Sequence, residues 1–418
     1  RMRRAASANA SGAVKSAGGH GATRSGGRTR RILVGAELAL ALTLLTGAGL
    51  MLRSFVALLR TEAGFDTDHV GTIELTFARA VGPEENRRLR VIRETLDRVR
   101  AMPGVEAAGA VNDLPIRRDG GGVSMKVDAE GGGSAKIDQP FVRYLMASDG
   151  YFHALGIPLL RGRLMAPTDN ATAPPVAVIS ERMAKTFWPG QDPIGKRFKI
   201  GSAESQPKIV IGVVGDVREG SLEREARMQM YFPVDSWTPT AAALVVRGSV
   251  PEAVLLNYLT SALREVDPAQ AFYNARSMDE LLRHTLAPRR SNTALVTVFG
   301  ILALVLAVVG VYGVMAYGVA LRSRELGIRA ALGAGRRRLV GLVLGESLTT
   351  ATIGIGVGLA GTLALSKVIR SMLYGVAPTD PAVLLGAALT LLGAIAVAAV
   401  VPARRAARTD PAVTLREE

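Results

Sequence analysis

The chain has 418 residues, a formal net charge of +15, 48% hydrophobic residues and no cysteine. Without a thiol it has no disulfide, no cysteine nucleophile and no thiolate metal ligand, so any external domain must hold together by packing alone. A pI near 10.6 raises nucleic-acid binding, but the basic residues border long apolar runs without interleaved aromatics; topology and anionic lipid headgroups account for them, and nucleic acid is not an expected partner.

Residues 1–31 carry eight basic residues and no acid in an Ala-, Gly- and Ser-rich stretch without apolar periodicity, which predicts a disordered basic cytoplasmic tail. Residues 32–52 form the first of four nearly charge-free runs, followed by 292–321, 339–365 and 382–401. Each reaches the roughly 20 residues that a helix needs to cross a bilayer. The first run is longer than the roughly 7–15 residues of a signal h-region and leads to no small-residue cleavage site, so it reads as a retained anchor. Between the second and third runs, residues 322–338 hold Arg322, Arg324, Arg329, Arg336, Arg337 and Arg338 against Glu325 alone. Arginines beside membrane helices stay in the cytoplasm, so this loop, the leading tail and residues 402–418 are predicted inside, with 53–291 and 366–381 outside. The pattern is that of a multi-pass membrane protein with both termini cytoplasmic.

Within 53–291, Ile73, Leu75 and Phe77 alternate as in a half-buried strand. Pro83 then opens a helix with Leu89, Ile92, Leu96 and Val99 on one face, Pro103-Gly104 ends it, and residues 105–111 return as a strand. A second βαβ unit runs from residues 244–247 through a helix started at Ser249-Pro251, with Leu255, Leu256, Leu259 and Leu263, to residues 271–276. Two βαβ units interrupted by an insert of about residues 112–243 predict a split, porter-like ferredoxin layer carrying a β-rich subdomain; the insert holds glycine runs at 120–122 and 131–133 and a buried-strand run at 209–214. The fold class is thus an α+β membrane protein: four transmembrane helices with a large extracytoplasmic α+β domain between the first two.

Several stretches imitate enzyme motifs. Gly190 to Lys196 matches most of a Walker A loop, but Arg197 replaces the hydroxyl residue that would ligate Mg²⁺. Gly356, Gly358 and Gly361 spell GxGxxG inside an apolar run, where small residues serve close helix approach better than a dinucleotide. His20, His69, His153 and His284 lack metal-ligand spacing and no GxSxG elbow occurs, so no catalytic residue, metal or cofactor is expected and the chain does not read as an enzyme. Glu37 and Glu346 lie within the apolar runs near their cytoplasmic ends, where a snorkelling or helix-pairing carboxylate is a better reading than a proton relay.

The stretch from Arg322 to Ala334 closely resembles the cytoplasmic loop of FtsX-like permeases of the macrolide-exporter (MacB) type. Similar resemblance is carried by Tyr151 to Arg163, Phe187 to Arg197, Val213 to Val217 and Pro402 to Pro411, and extends over about residues 30–418. The resemblance implies that the loop after the second span is a coupling helix seated on an ABC ATPase, with Arg324, Glu325, Gly327, Ile328, Arg329 and Leu332 at the coupling positions. It implies a second permease unit, as a homodimer or a fused repeat, and a possible periplasmic adaptor beside membrane lipids. No complete Walker A is present, so a separate ABC ATPase subunit is expected. The basic lead-in and the absent initiator Met also resemble the second half of a duplicated permease. The function implied is transmission of ATP-driven motion to the external domain, to export or extrude an amphiphilic, drug-like or lipid-linked substrate. An FtsX-type signalling subunit that regulates an external partner is the alternative.

Overall fold

A computed structural model describes residues 22–77, 83–115, 124–130, 141–170, 172–201, 204–234, 240–322, 325, 328, 329, 332 and 335–406. The chain divides into two compact units, Thr61–Pro288 and a second made of Arg1–Arg60 with Arg289–Glu418.

The second unit is helical. Its helices are α1 (Ala22–Leu59), α6 (Met278–Leu321, which starts in the other unit), α7 (Arg336–Arg370) and α8 (Pro381–Ala406). Each is long and apolar enough to cross a membrane. Every helix outruns the apolar run that predicted it, because extending a formed helix costs far less than nucleating one and hydropathy marks only the part facing lipid. The same reason corrects the leading tail: residues 22–31 are helical rather than disordered, and residues 1–21 lie outside the described residues.

The four helices share one core. Leu38 and Leu42 of α1, Ala307 and Val311 of α6, Ala351 of α7, and Leu391 and Ile395 of α8 are all buried in it. Close approach explains two glycines of α7: a Cβ on Gly358 would lie 2.9 Å from the Ala39 carbonyl and 3.0 Å from Leu42 Cβ, and one on Gly354 would lie 2.8 Å from Leu38 Cβ. Gly358, the middle glycine of the GxGxxG stretch, therefore serves helix packing.

The first unit contains β1 (Val70–Thr76), α2 (Pro83–Arg100), β2 (Val105–Val111), β10 (Ala241–Gly248), α5 (Glu252–Val266) and β11 (Phe272–Ser277). These strands lie in the order β11-β1-β10-β2, all neighbours antiparallel. β1 and β2 are thus parallel with β10 between them, the split βαβ arrangement. Ile73 faces Leu244, and both are fully buried beneath Ile92 and Val99 of α2 and Leu255 and Leu259 of α5; each such side chain contributes about 1.5–3 kcal/mol by leaving water. β1 is buried on both faces rather than one, because the polar side is covered too: Thr72 donates to the Arg276 carbonyl at 3.0 Å and Asn274 donates to Glu74 at 2.8 Å. Pro251 holds the N-cap position of α5, within the Ser249-Pro251 start read from the sequence.

Between β2 and β10 the chain builds β3 (Ser124–Ala129), β4 (Phe141–Ala147), α3 (Tyr151–Ala154), β5 (Leu159–Gly162), β6 (Val176–Ser180), α4 (Glu181–Phe187), β7 (Arg197–Ile200), β8 (Lys208–Val214) and β9 (Gln229–Pro233). The pairings β4-β3-β7-β8-β6-β9 run in sequence, and β9 pairs back to β4 in parallel, so six strands close on themselves and no edge is left within the ring. Phe198, Met230, Phe232, Val210 and Ile179 fill the interior with Trp188. Ser180 ties three elements together: its hydroxyl accepts from Met183 N at 3.3 Å, capping α4, and from Gln229 N at 3.1 Å on β9. The glycine runs at 120–122 and 131–133 lie outside the described residues.

Candidate functional site

The predicted coupling residues stand at the turn between α6 and α7. Glu325, Ile328 and Arg329 are helical, and the Leu332 N–H donates to the Ile328 carbonyl at 3.0 Å, an i→i−4 bond. Glu325 and Arg329, one turn apart, form a 2.6 Å ion pair. Ile328 is exposed and Leu332 is 83% exposed. Gly335 then adopts an extended backbone at the start of α7. Arg324 and Gly327, the other two predicted positions, lie outside the described residues. A short helical turn with a self-paired charge and uncovered apolar side chains has the chemistry of a docking peptide.

Deeper along α1, the guanidinium of Arg30 stacks 4.3 Å over the ring of Tyr317 on α6. Seven residues further on, the Glu37 carboxylate lies against Gly310: a Cβ there would sit 2.2 Å from Glu37 Oε2. Glu37 is therefore a helix-pairing acid whose carboxylate fills the space left by a glycine. The Glu346 side chain lies outside the described residues.

At the other end of the bundle, Asp380 Oδ1 accepts from Ala382 N at 3.0 Å and from Val383 N at 3.2 Å, capping α8, and receives Arg53 of α1. The Tyr374 N–H donates to Ser54 Oγ at 2.7 Å. Sequence reasoning passed over this clamp, although Asp380-Pro381 is a helix-start signature.

In the first unit the resemblance-bearing motifs are structural. Tyr151 and Phe152 are buried, and Phe152 meets Tyr231 edge to face at 5.0 Å. Arg163 grips Asp169 with two hydrogen bonds of 2.6 and 2.8 Å; that bond holds the Asp169 carboxyl below the usual carboxylate range. The Walker-like loop is a turn into β7, not into a helix. Four of its N–H groups are consumed internally, Gln191 N by the Trp188 carbonyl, Gly195 N by the Val210 carbonyl, Lys196 N by the Pro193 carbonyl and Ile194 N by Asp192, which leaves these four no part in cradling a phosphate.

A buried ionic cluster also escaped sequence reasoning; its signal was a lone arginine inside the otherwise apolar β4. Arg143 is 4% exposed, bonds Asp113 through Nη2, and places Nε 3.3 Å from Glu219 Oε1. Burial pushes the Glu219 carboxyl above its ordinary range against the opposing pull of Arg143. Among the described residues no group of three His, Asp or Glu side chains is arranged to hold a metal.

Residues 38–271 match the MacB-like periplasmic core domain and residues 297–411 match the FtsX-like permease C-terminal family. The chain belongs to the FtsX-like, MacB-type permease family. It is 25% identical to the macrolide export ATP-binding/permease protein MacB of Hahella chejuensis, over 84% of this chain and 52% of that protein. It is 29% identical to the pyoverdine export ATP-binding/permease protein PvdT of Pseudomonas savastanoi pv. phaseolicola, over 66% of this chain and 43% of that one. This MacB-type chain thus spans about half the length of the curated relatives it matches. The crystal structure of the periplasmic region of MacB from Actinobacillus actinomycetemcomitans aligns with a TM-score of 0.37 at 17% identity, covering 55% of this chain and 97% of that one. As a member of this permease family the chain is a multi-pass inner-membrane protein, and its described residues contain four membrane-length helices and a mixed α+β periplasmic domain.

Proposed function

We propose that this chain is the permease subunit of an ABC-type export system, passing the motion of a separate ATPase to its periplasmic domain so as to extrude an amphiphilic, drug-like or lipid-linked substrate. The observation that carries the reading is the exposed turn at the arginine end of the bundle, where Glu325 and Arg329 pair and Leu332 projects. Arg324, Glu325, Gly327, Ile328, Arg329 and Leu332 are its proposed coupling residues. Because α1, α6, α7 and α8 share one core, a force on the α6–α7 turn reaches all four helices without a soft joint. Relatives named for macrolide export and for pyoverdine export support export as the activity. A second permease unit, with the exposed stripe Leu295, Phe299, Leu302 and Leu306 of α6 offering apolar surface to it or to lipid, and a periplasmic adaptor complete the proposed assembly. The domain limits 53–291 and 322–338 stand as the proposed periplasmic domain and coupling loop.

The test is co-purification of the partner ATPase from native membranes at equal permease expression. Glu325→Lys places a cation beside Arg322 and Arg329, and Leu332→Asp charges the projecting apolar side chain; each is expected to cut recovered ATPase about tenfold, equivalent to about 1.4 kcal/mol. Both variants still insert, since the positive bias of the loop is kept or nearly so. Unchanged ATPase recovery in both would overturn the coupling assignment, and recovery of a cell-wall hydrolase instead of an adaptor would favour the signalling alternative.

A further inference from the structure

The ferredoxin-like layer and the barrel meet where β2 touches β4 through the single pair Val111↔Ala147, fastened by Asn112 N to the Met146 carbonyl at 3.0 Å and Ser148 N to the Ala110 carbonyl at 2.8 Å. Beside this short ladder three charged side chains are shut away from water. Asp113 follows β2, Arg143 comes from β4 of the barrel, and Glu219 comes from the segment joining β8 to β9. Their side chains are between 4% and 10% exposed.

We propose that Arg143, Asp113 and Glu219 form a proton-sensitive latch at this seam, tight when Glu219 carries a proton and loosened when Glu219 is ionised. The latch stands on residues 61–288 alone and holds whether or not the chain serves export.

Charge counting gives the direction. One guanidinium faces two carboxylates, so with both ionised the cluster carries a buried net negative charge; a proton taken from water onto Glu219 leaves one neutral pair, Arg143 with Asp113. Among the described residues, further groups act on Glu219 or on the tyrosines beside it. Arg227, just before β9, pulls weakly toward the ionised form. Gln229 of β9 hydrogen-bonds Glu219 and also accepts from the Tyr231 hydroxyl at 3.0 Å. Tyr151 of α3 and Tyr231, both fully buried, stay neutral because burial and the nearby carboxylates oppose their ionisation; Asp216 faces Tyr231 from the loop after β8. Burial outweighs Arg143 and Arg227 at Glu219, so the carboxylate gains by reaching water once it ionises. Asp113, bonded to Arg143 Nη2, supplies the ion pair that crosses the seam, and an ionised Glu219 competes with it for the same guanidinium and so weakens it.

The natural absence of cysteine permits a direct test on the full chain in nanodiscs. Gln191→Cys on the barrel and Ser261→Cys on α5, both exposed positions, carry spin labels, and the interlabel distance distribution is read by pulsed electron resonance at about pH 5 and about pH 7.5. The latch requires a narrower distribution at the lower pH, and Glu219→Gln should show that narrow distribution at both. Coincident wild-type distributions at the two pH values overturn the proposal, as does a Glu219→Gln protein that responds to pH like the wild type. Should Glu219→Gln fail to fold, Asp113→Asn serves instead: with a single acid left on Arg143, the pH response should move to lower pH, and an unmoved response counts against the latch.

Discussion

Arg53 near the end of α1 and Asp380 at the start of α8 meet at 2.5 Å, and the same carboxylate oxygen caps two N–H groups of α8. One side chain thus ends one connection and pins another, at the end of the bundle away from the arginine loop.

The two roles of Asp380 separate by substitution. Loss of an N-cap costs about 0.5–2 kcal/mol, whereas an ion pair whose arginine is 51% exposed is worth at most about 1 kcal/mol after solvent screening. Asp380→Ala should therefore lower the melting temperature of the detergent-solubilised protein more than Arg53→Ala, and Asp380→Asn, which still caps, should fall near Arg53→Ala. Equal losses for Asp380→Ala and Arg53→Ala would show that the cap contributes nothing.

Gly358 and Gly356 belong to the same GxGxxG stretch but face different surroundings. A Cβ on Gly358 presses on the Ala39 carbonyl of α1, while one on Gly356 meets nothing within 4 Å. Gly358→Leu should separate α1 from α7 and reduce both thermal stability and yield, and Gly356→Ala should be neutral or slightly stabilising through helix propensity. Yield and melting temperature in detergent decide it; two equally damaging substitutions would disprove the packing role.

Acid should weaken the grip of Arg163 on Asp169. The Asp169 carboxyl lies below its unfolded value because Arg163 hydrogen-bonds its ionised form, so its stabilisation is present above about pH 4 and is lost as pH falls through the lowered value. Asp169→Asn should flatten that acid-side loss when melting temperature is followed from about pH 6 to about pH 3. Glu219 has the opposite sign, since its raised value stabilises the folded state progressively as pH falls toward the ordinary carboxylate range.

Topology is testable with single cysteines. In intact cells with a permeabilised outer membrane, Gln191→Cys should react with an impermeant thiol reagent and Leu332→Cys should not, as the arginine asymmetry requires. Labelling of both positions would end the four-span orientation.

A further outcome concerns the Walker-like loop. Lys196→Ala should leave partner-driven ATP hydrolysis unchanged, because the surrounding N–H groups are already bonded within the barrel. A large loss in a folded variant would reverse that reading.

The four spans, the arginine asymmetry and the two βαβ units were legible in the chain because each is written in a local pattern: about twenty apolar residues, charges beside them, and apolar spacing of period 2 or 3.6. The turn linking Glu325 to Arg329 was legible for the same reason, an i, i+4 relation that needs no tertiary partner. Helix ends were not, since residues 22–31 carry no apolar signal and residues 278–291, despite Met278, Leu281, Leu282 and Leu286, hold too many charges to extend the apolar run; both are helical in continuity with their neighbours.

Only the tertiary structure decided the rest. That β9 returns to β4 and closes a ring, that Glu37 fits over Gly310, and that Asp113, Arg143 and Glu219 converge on one seam are pairings between segments far apart in the chain. Such contacts follow from shape, closure and burial, and no periodicity along the chain encodes which distant strand or side chain will be the partner.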